Sequence, residues 1–381
     1  MAGRYELPVI SPHRGPKART YHQHLRHSRK GRRRGGLPAE HLRRHRRDRG
    51  LPTGGLLARS LLAVFLGVVL VLALIWPGPR REQADEAVRS GPTIRLWDHS
   101  SRQLLEMPLE EYLLGVVAAE MPANMPLEAL KAQAVAARTL ALRALYSGAR
   151  VVEEPRANLS SDYRAGQAWK STAVLRKQWG ILLYQWNMYR IRKAVQATAG
   201  IVLTYNGQLI FPAFHSTSGG MTENSENYWS EALPYLRSVI SPHEDRSPYR
   251  EQVVRLSPAD VRARLAAVAT APSGLSTHPG SESGRQNSQI RVISRYPSGR
   301  VNLFEFEGRV YTGRQVREAL NLPSSWFYVT VEGGQLTFRV KGYGHGVGLS
   351  QYGAAGMAER GSKYQEILAH YYQGTTLARA Y

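Results

Sequence analysis

The chain has 381 residues, 43% of them apolar, which is enough for one large domain or two ordinary ones with a sizeable core. It contains no cysteine, which excludes disulfides, thiolate chemistry and every cysteine-ligated zinc site. The formal net charge is +22, and residues 1–59 hold 16 Lys and Arg side chains against three acidic ones, so much of the positive excess lies near the N-terminus.

Residues 1–55 are rich in Arg, His, Gly and Pro and show no apolar periodicity, which predicts a disordered basic tail. Such a tail either contacts nucleic acid or anionic lipid, or is a solvated segment that only sets membrane topology. A charge run is more often solvated, so we favour the second role and expect no nucleic-acid partner.

Residues 56–76 form a run of about 20 mostly apolar residues, interrupted only by Arg59. A helix of that length crosses a hydrocarbon core of about 30 Å. The preceding positive charge predicts a cytoplasmic N-terminus and an extracytoplasmic remainder, joined by a polar linker at 77–92. A cleaved signal peptide is the rival interpretation, but the apolar run is too long for it and no small-residue cleavage site follows. The sequence therefore predicts a single-pass protein of the cell membrane.

Residues 93–381 predict a mixed α+β core, because strands and helices do not alternate regularly as they do in a doubly wound sheet. One helix is expected to begin at Pro108 and to end at Pro122, and a second is expected to begin after Pro126. Asn206-Gly207 predicts a hairpin turn between strands. The remaining predicted elements are strands at 93–97, 200–205 and 208–214 and helices at 127–146, 190–199, 350–360 and 363–372.

Residues 250–341 follow a different pattern and are a candidate for a smaller inserted region. It is predicted to contain helices at 258–270 and 313–320 and strands at 290–295, 300–306 and 336–340. Between them, residues 271–289 are rich in Ser, Gly and Pro and predict a mobile loop.

The first segment that carries chemistry is 116–122, where Glu120 ends an apolar helix just before a proline. The negative end of the helix dipole and the apolar neighbours both disfavour the carboxylate, and so raise its pKa. A Glu that stays protonated near neutral pH can act as the general acid of glycoside cleavage. Taken alone, the segment favours the simpler interpretation of an exposed Glu at a helix end.

The second segment, 214–224, follows a strand and places small and hydroxylated residues behind His215. Its two adjacent glycines allow a tight turn and the close approach of a ligand. Sugar binding, a serine nucleophile at Ser216 or Ser218 and a single metal ligand all remain open, as does a polar turn with a hydrogen-bonded histidine.

The third segment, 342–353, alternates glycine with Tyr343, His345 and Val347 before a helix. It matches neither of the glycine motifs that bind nucleotide phosphates, so a nucleotide site is disfavoured. Glycine at this density indicates that the backbone, Tyr343 and His345 line a cleft.

Other hydrolytic classes lack their signatures. A catalytic zinc needs three protein ligands with an open position, and His215 and His345 supply only part of such a set. No H-E-x-x-H motif is present. A Ser–His–Asp triad has no G-x-S-x-G elbow to support it.

Taken together, the three segments strongly resemble the stage II sporulation protein D family. The similarity runs from about residue 92 to 376, and a single N-terminal anchor also fits the family. The blocks that carry it are 109–113 with 115–122 and 126–139, then 215–224 with Trp229 and 234–236, then 342–356 with 364–374.

The resemblance implies a lytic transglycosylase of peptidoglycan, which acts in septal wall remodelling and engulfment during sporulation. Such enzymes cleave between N-acetylmuramic acid and N-acetylglucosamine in strands without stem peptides. The partners implied are a cell-wall amidase, stage II sporulation protein P, and a membrane partner, protein M. The catalytic acid of the family lies in the A-A-E-M-P block, which makes Glu120 the acid here.

One carboxyl group suffices for this reaction, whereas ordinary retaining and inverting glycosidases need two. Glu120 protonates the leaving oxygen, the 6-hydroxyl of the sugar closes on C1 to give a 1,6-anhydro end, and the same residue takes the hydroxyl proton. The candidates for glycan contacts are polar residues of the three blocks: Lys131, Gln133, Arg138, His215, Ser216, Ser218, Tyr343, His345, Ser350 and Gln351.

Two of these candidates, Arg138 and Gln351, have an equally good structural interpretation, because buried polar groups often only hold a fold together. A cation beside Glu120 would lower the pKa of that carboxyl group. We therefore expect Arg138 to contact other carboxylates or the glycan.

No cofactor is expected. Some relatives bind zinc near the active site through His and Cys, and the lack of cysteine puts that metal in doubt here. Two alternative functions remain: a non-catalytic glycan-binding activator of an amidase, like the amidase enhancer of the broader family, and a zinc amidase that cuts stem peptides. Glu120 in its block argues against the first, and the missing ligand set argues against the second.

Overall fold

The computed structural model describes residues 91–268 and 290–381, together with Phe65. The predicted tail at 1–55, the predicted membrane span at 56–76 apart from Phe65, most of the linker and the predicted loop at 271–289 lie outside the described residues. Among the helices that are described, none combines the length and the apolar character needed to cross a membrane.

The described residues form seven α-helices and fourteen short strands, which confirms the predicted mixed α+β class. The helices are α1 (Leu109–Glu120), α2 (Leu127–Tyr146), α3 (Thr172–Ala197), α4 (Pro258–Ala266), α5 (Gly313–Leu320), α6 (Gln351–Glu359) and α7 (Tyr364–Tyr371). The strands are β1 (Thr93–Asp98), β2 (Gln103–Pro108), β3 (Leu159–Ser160), β4 (Ile201–Tyr205), β5 (Gln208–Leu209), β6 (Phe214–His215), β7 (Glu251–Leu256), β8 (Ile290–Arg295), β9 (Val301–Phe306), β10 (Arg309–Thr312), β11 (Phe327–Glu332), β12 (Gln335–Lys341), β13 (Leu349–Ser350) and β14 (Thr376–Arg379).

The strands pair in small separate sheets. Their orders are β2-β1-β3, β10-β9-β8, β11-β12-β7, β14-β4-β5 and the two-stranded pair β13-β6. All pairings are antiparallel except β1 with β3 and β6 with β13. The β6–β13 pair matters most for the site, since it joins segments that are more than 130 residues apart.

Prolines set the limits of the first helices. Pro108 and Pro126 occupy the N-cap positions of α1 and α2 with ψ of 144° and 142°, so each helix begins at the next residue. At the other end of α1, Met121 is extended, with φ −128° and ψ 142°. That conformation is the one a residue before proline prefers, and Pro122 follows. The stop at Pro122 therefore leaves Glu120 as the final residue of the helix.

The main hydrophobic core is built on α1, α2 and α3 and is completed by residues of β4, α6 and α7. The α2 helix runs through this core and carries many buried alanines. Their small side chains let neighbouring helices approach closely. A second, smaller cluster of buried apolar side chains uses only residues from Val261 to Val340. Both lie in one compact unit, and the predicted limits of an insertion at 250–341 stay a prediction.

Three predicted elements differ from the structure. The helix expected at 258–270 already ends at Ala266. The helix expected at 190–199 is the end of the 26-residue α3, which contains a break at Gly180 (φ 71°, ψ 168°). The return strand expected at 208–214 was wrong in extent: β5 stops at Leu209, and Phe214 belongs to β6. Pro212 lies in the gap and has no N–H to donate to a ladder, so a continuous strand is not formed there.

Candidate active site

Glu120 carries an altered acidity because of where α1 ends. Its side chain is partly buried, and the last turn of the helix contains no basic residue. Burial raises the pKa of Glu120 from its ordinary value to about 7, although hydrogen bonds from Ala168 and Gln351 lower it in part. Near neutral pH the group is therefore divided between acid and carboxylate, which suits a residue that donates and then accepts a proton.

The two carboxyl oxygens of Glu120 have different surroundings. The backbone N–H of Ala168 donates to Oε1 across 2.6 Å, whereas Oε2 has only a long 3.5 Å contact with the side-chain amide of Gln351. Within the described residues, neither a basic side chain nor a second carboxylate contacts this group. Because Oε1 already accepts a short hydrogen bond, Oε2 is the oxygen better placed to carry the proton of the acid form.

The segment 167–170 supplies the donor to Glu120 and is itself tightly held. The side-chain amide of Gln167 donates to the hydroxyl of Tyr112 at 3.0 Å, and the N–H of Lys170 donates to the carbonyl of Gly115 at 3.3 Å. Trp169 packs against Gly115, where a Cβ atom would lie 2.2 Å from the indole nitrogen. Sequence reasoning missed this segment, because it has no periodicity and follows no recognised motif.

Gln351 links Glu120 to the second helix of the core. It is the first residue of α6, and its side-chain amide reaches both Glu120 and the Oε1 atom of Gln133 on α2, the latter at 3.4 Å. Both glutamines are buried. The Nε2 atom of Gln133 is also buried and has no hydrogen-bond partner among the described residues. A polar path therefore runs from α2 through α6 to the carboxyl group.

The second and third sequence segments meet in the β6–β13 pair. Phe214 pairs with Leu349 and His215 pairs with Ser350, in parallel register. The glycine-rich approach to β13 fits closely around its neighbours: a Cβ at Gly344 would lie 2.8 Å from that of His215, and φ there is +111°. Both the space and the backbone conformation therefore require glycine at position 344.

The buried His215 forms an aromatic cluster with His345, Tyr228 and Trp229, which are partly buried. The two imidazole centroids are 5.5 Å apart, and His345 lies 5.0 Å from the ring of Trp229. Burial, with Arg317 nearby, lowers the pKa of His345 to about 3, and burial next to His345 and Arg300 places the pKa of His215 well below its usual range. Both rings are therefore neutral near pH 7 and cannot serve as general acids there.

Glu244 holds the second and third segments together, and sequence reasoning missed it too. Its buried carboxylate accepts from the backbone N–H groups of Ser218 and Gly219 at 2.9 and 2.8 Å. It also accepts from the hydroxyls of Ser241 and Ser350. Ser218 and Ser350 are thereby committed to the internal network, with no exposed surface.

Arg138 belongs to α2 and contacts the first turn of α1, whereas Glu120 is the last residue of α1. Arg138 forms a buried two-pronged ion pair with Glu110, with nitrogen–oxygen distances of 2.6 and 2.7 Å, and donates to two backbone carbonyls. Glu110 also accepts from the N–H of Gly200 and the hydroxyl of Tyr381. Ten residues of helix separate Glu110 from Glu120, a rise of about 15 Å. The expectation that Arg138 would contact another carboxylate is confirmed.

The remaining candidates lie around the edges of this arrangement. Lys131 pairs with Glu128 at 2.7 Å, and its ammonium group lies over the ring of Tyr364. Tyr343 is exposed and packs against Tyr249, with centroids 4.7 Å apart. Ser216 is partly buried and its carbonyl accepts from the N–H of Tyr352. The structure thus brings Gln351 into contact with Glu120 and links Gln133 to it through Gln351, whereas Arg138 contacts a different carboxylate.

Two cavities flank this region. One of about 550 Å³ lies between α1 and the start of α3 and is lined in part by Gly115, Trp169 and Lys170, next to the residue that binds Glu120. The other, of about 300 Å³, is lined in part by Trp229 and Arg300. Glu120 itself is not among the residues that line either cavity.

The donor set does not fit a zinc ion. In residues 91–268 and 290–381 no group of three or more His, Cys, Asp or Glu side chains is placed to hold a metal. His215 has a buried Nε2 that finds no hydrogen-bond partner in the described part of the chain. Its Nδ1 already contacts the carbonyl of Val347, and the chain has no cysteine to complete a site. No step of the chemistry is therefore assigned to a metal.

The sequence of this chain is similar to those of several known proteins. Residues 98–205 match the protein-family model described as SpoIID, stage II sporulation protein. The chain is 38% identical over 302 residues to stage II sporulation protein D of Bacillus subtilis (strain 168), covering 79% of this chain and 83% of that protein. It is 39% identical over 296 residues to the protein of the same name from Bacillus amyloliquefaciens, with 77% and 80% covered. It is 30% identical over 308 residues to the amidase enhancer of Bacillus subtilis (strain 168), covering 70% of this chain and 40% of that protein.

Proposed function

Because this chain belongs to the stage II sporulation protein D family, we propose that it is a lytic transglycosylase of peptidoglycan with Glu120 as its catalytic residue. The observation that supports the proposal most directly is a single carboxyl group whose pKa is raised to about 7 and whose two oxygens are differentiated by the N–H of Ala168.

The first step uses the acid form of Glu120. The proton on Oε2 passes to the oxygen that joins N-acetylmuramic acid to N-acetylglucosamine, and the bond from that oxygen to C1 breaks. Positive charge develops on the sugar ring as the bond lengthens. The Ala168 N–H stabilises the carboxylate that remains, because a donor aimed at a developing negative charge is stronger in the transition state.

The second step uses the carboxylate. The 6-hydroxyl of the muramic acid closes on C1, and Glu120 takes its proton, which regenerates the acid. The products are a 1,6-anhydro end and a free hydroxyl on the departing sugar, so no water is consumed. A single group with a pKa near 7 serves both steps, since neither protonation state is costly to reach.

The proposed substrate is a glycan strand without stem peptides, in wall remodelling during sporulation. That substrate requires an amidase to act first, so we propose a cell-wall amidase as the functional partner. The membrane partner, the span at 56–76 and the extracytoplasmic location of the catalytic region belong to the same proposal. Gln133 and Gln351 are proposed to position Glu120, and Lys131, Ser216 and Tyr343 to contact the glycan at the surface.

The test compares the full-length protein with Glu120→Gln and with Glu106→Gln, an exposed residue of β2 that serves as a matched control. Each is incubated with peptide-free glycan strands, and the products are identified by mass spectrometry. We expect 1,6-anhydro ends from the wild type and the control, and a loss on the order of 10²–10⁴-fold for Glu120→Gln. Equal product from all three proteins would refute the assignment of Glu120.

The second candidate function is a non-catalytic activator of an amidase, and the similarity to the amidase enhancer favours it. This alternative predicts no anhydro ends from any variant. It predicts instead that the protein stimulates stem-peptide release by an added amidase, and that Glu120→Gln stimulates it equally well.

A further inference from the structure

The α3 helix has two apolar faces, and only one of them is covered. Its second part, after Gly180, packs into the main core through Tyr184, Met188, Ile191 and Val195. These residues recur at intervals of three and four, as one face of a helix requires. The first turns of the opposite side of the helix carry large apolar residues where a surface helix normally has polar ones.

The uncovered face consists of large apolar side chains. Leu182 is 86% exposed, Ile181 79%, Leu183 61%, Trp186 58% and Tyr189 56%. Leu182, Trp186 and Tyr189 fall within an arc of about 60° on the helix, roughly opposite the buried face, and Lys193 lies in the same arc. Ile181 and Leu183 lie to either side of this arc. The rings of Trp186 and Tyr189 stack, with centroids 5.9 Å apart. A cluster of this kind on a surface marks an interaction site.

The charge of the helix indicates the partner. Residues 172–197 contain five basic side chains and no acidic one. Of the five, Arg176 and Lys177 precede the apolar cluster and are exposed, and Lys193 follows it and is also exposed. An apolar face with Trp and Tyr, flanked by Lys and Arg, is the composition of a helix that lies in the interface of an anionic bilayer.

The helix is also held so that this face stays outward. The guanidinium group of Arg190 donates to the carbonyls of Ala123 and Met125, at 2.8 and 2.7 Å, and so fixes α3 to the connection between α1 and α2. A rigidly presented aliphatic and aromatic face loses little conformational freedom when it enters a membrane interface. Aliphatic side chains such as Ile181 and Leu182 gain little from a hydrated glycan, which favours lipid as the partner.

We propose that the face formed by Ile181, Leu182, Leu183, Trp186 and Tyr189 inserts into the surface of an anionic lipid bilayer. The contact is independent of the catalytic proposal and of the N-terminal span, since it arises from α3 alone. The opposite face of the same helix supplies Tyr184 and Met188 to the lining of the cavity of about 550 Å³. Membrane contact of α3 would therefore orient the catalytic core relative to the bilayer.

The absence of cysteine makes the test direct. Leu182→Cys in the full-length protein is labelled with an environment-sensitive fluorophore, and Val152→Cys, 84% exposed, is the matched control. The proteins are reconstituted into vesicles of phosphatidylglycerol or of phosphatidylcholine that contain spin-labelled lipid. Because both proteins have the same N-terminal part, the two labels differ only in their position on the folded region.

We expect the label at position 182 to be quenched by spin-labelled lipid several-fold more than the label at 152, and more in phosphatidylglycerol than in phosphatidylcholine. Trp186→Ser in the Leu182→Cys protein should lower that quenching, whereas Tyr163→Ser, at an exposed residue elsewhere, should not. Equal quenching at positions 182 and 152 would overturn the proposal, including the case in which a protein or a second copy covers this face.

Discussion

The backbone amide of Ala168 donates a 2.6 Å hydrogen bond to Oε1 of Glu120, from a residue 48 positions further along the chain. Because this donor is a main-chain group in a segment held by Gln167, Trp169 and Lys170, it cannot turn away as a side chain can. The orientation of the carboxyl group, and the oxygen that holds its proton, are therefore fixed by the path of the backbone.

The activity should depend on the acid form of Glu120. Since the pKa of this group is raised to about 7 by burial, kcat/KM is expected to be level below about pH 7 and to fall above it, by about tenfold per pH unit for one proton. The measurement is the rate of anhydro-end formation between pH 5 and 9. A rate that rises through pH 7 would mean that the carboxylate form begins the reaction.

The stability of the protein should depend on the same proton. A raised pKa means that the folded state binds the proton more tightly than the unfolded state between pH 4.5 and about 7, so the free energy of unfolding falls as pH rises through that window. Glu120→Gln lacks the titrating group, so its free energy of unfolding does not fall in this window. At pH 8 it should be more stable than the wild type by on the order of 3 kcal/mol, and near pH 4 the two proteins should be equally stable.

Chemical denaturation of both proteins at several pH values measures this difference. Glu106→Gln, at an exposed position of β2, is the matched control. A difference between Glu120→Gln and the wild type that stays constant from pH 4 to 8 would show that the carboxyl group is not buried in solution.

Gln351 should tune the acidity of Glu120. Its side-chain amide lowers the pKa of the carboxyl group by contacting Oε2. Gln351→Leu removes that donor, so the pKa of Glu120 should rise and the falling limb of the pH–rate profile should move to higher pH. The loss of the contact with Gln133 should also lower the free energy of unfolding by about 1–3 kcal/mol. Gln335→Leu, at an exposed position of β12, is the matched control; a shift of the limb to lower pH would contradict the assignment.

Arg138 and Glu110 should act on stability and not on substrate binding. Their ion pair is fully buried, and removing one partner leaves an unpaired buried charge. Arg138→Met is therefore expected to cost about 3–5 kcal/mol, and the double variant with Glu110→Leu to recover part of that loss. Denaturation measures the cycle, and KM for glycan strands should be unchanged. A higher KM with unchanged stability would instead place Arg138 in contact with substrate.

Much of the secondary structure could be predicted from local signals. Pro108 and Pro126 mark the starts of α1 and α2, and the helix at 313–320 was correctly bounded. There Thr312 and Gln315 form a reciprocal capping box, and such a signal lies within four residues of sequence. The helix α3 was only partly predicted, because its two apolar faces and the break at Gly180 obscure the helical period.

The candidate site was predicted as a set of segments, but not as a set of contacts. The resemblance identified Glu120, and the structure brings Gln351 to it as part of the third segment. Ala168 and Glu244 could not be predicted, since each acts through backbone groups or through partners that are brought together only by the fold. Pairing that depends on tertiary structure leaves no pattern in a single sequence.

The distance along the chain between Glu120 and Gln351 has a consequence for biogenesis. Their contact spans 231 residues, and the parallel pairing of β6 with β13 closes a loop of more than 130 residues, which costs about 4 kcal/mol in chain entropy. A high share of such long-range contacts slows folding. During synthesis Glu120 is therefore present long before the residues that surround it in the folded protein. Its pKa reaches the value of the folded protein only when the last third of the polypeptide has been synthesised and folded.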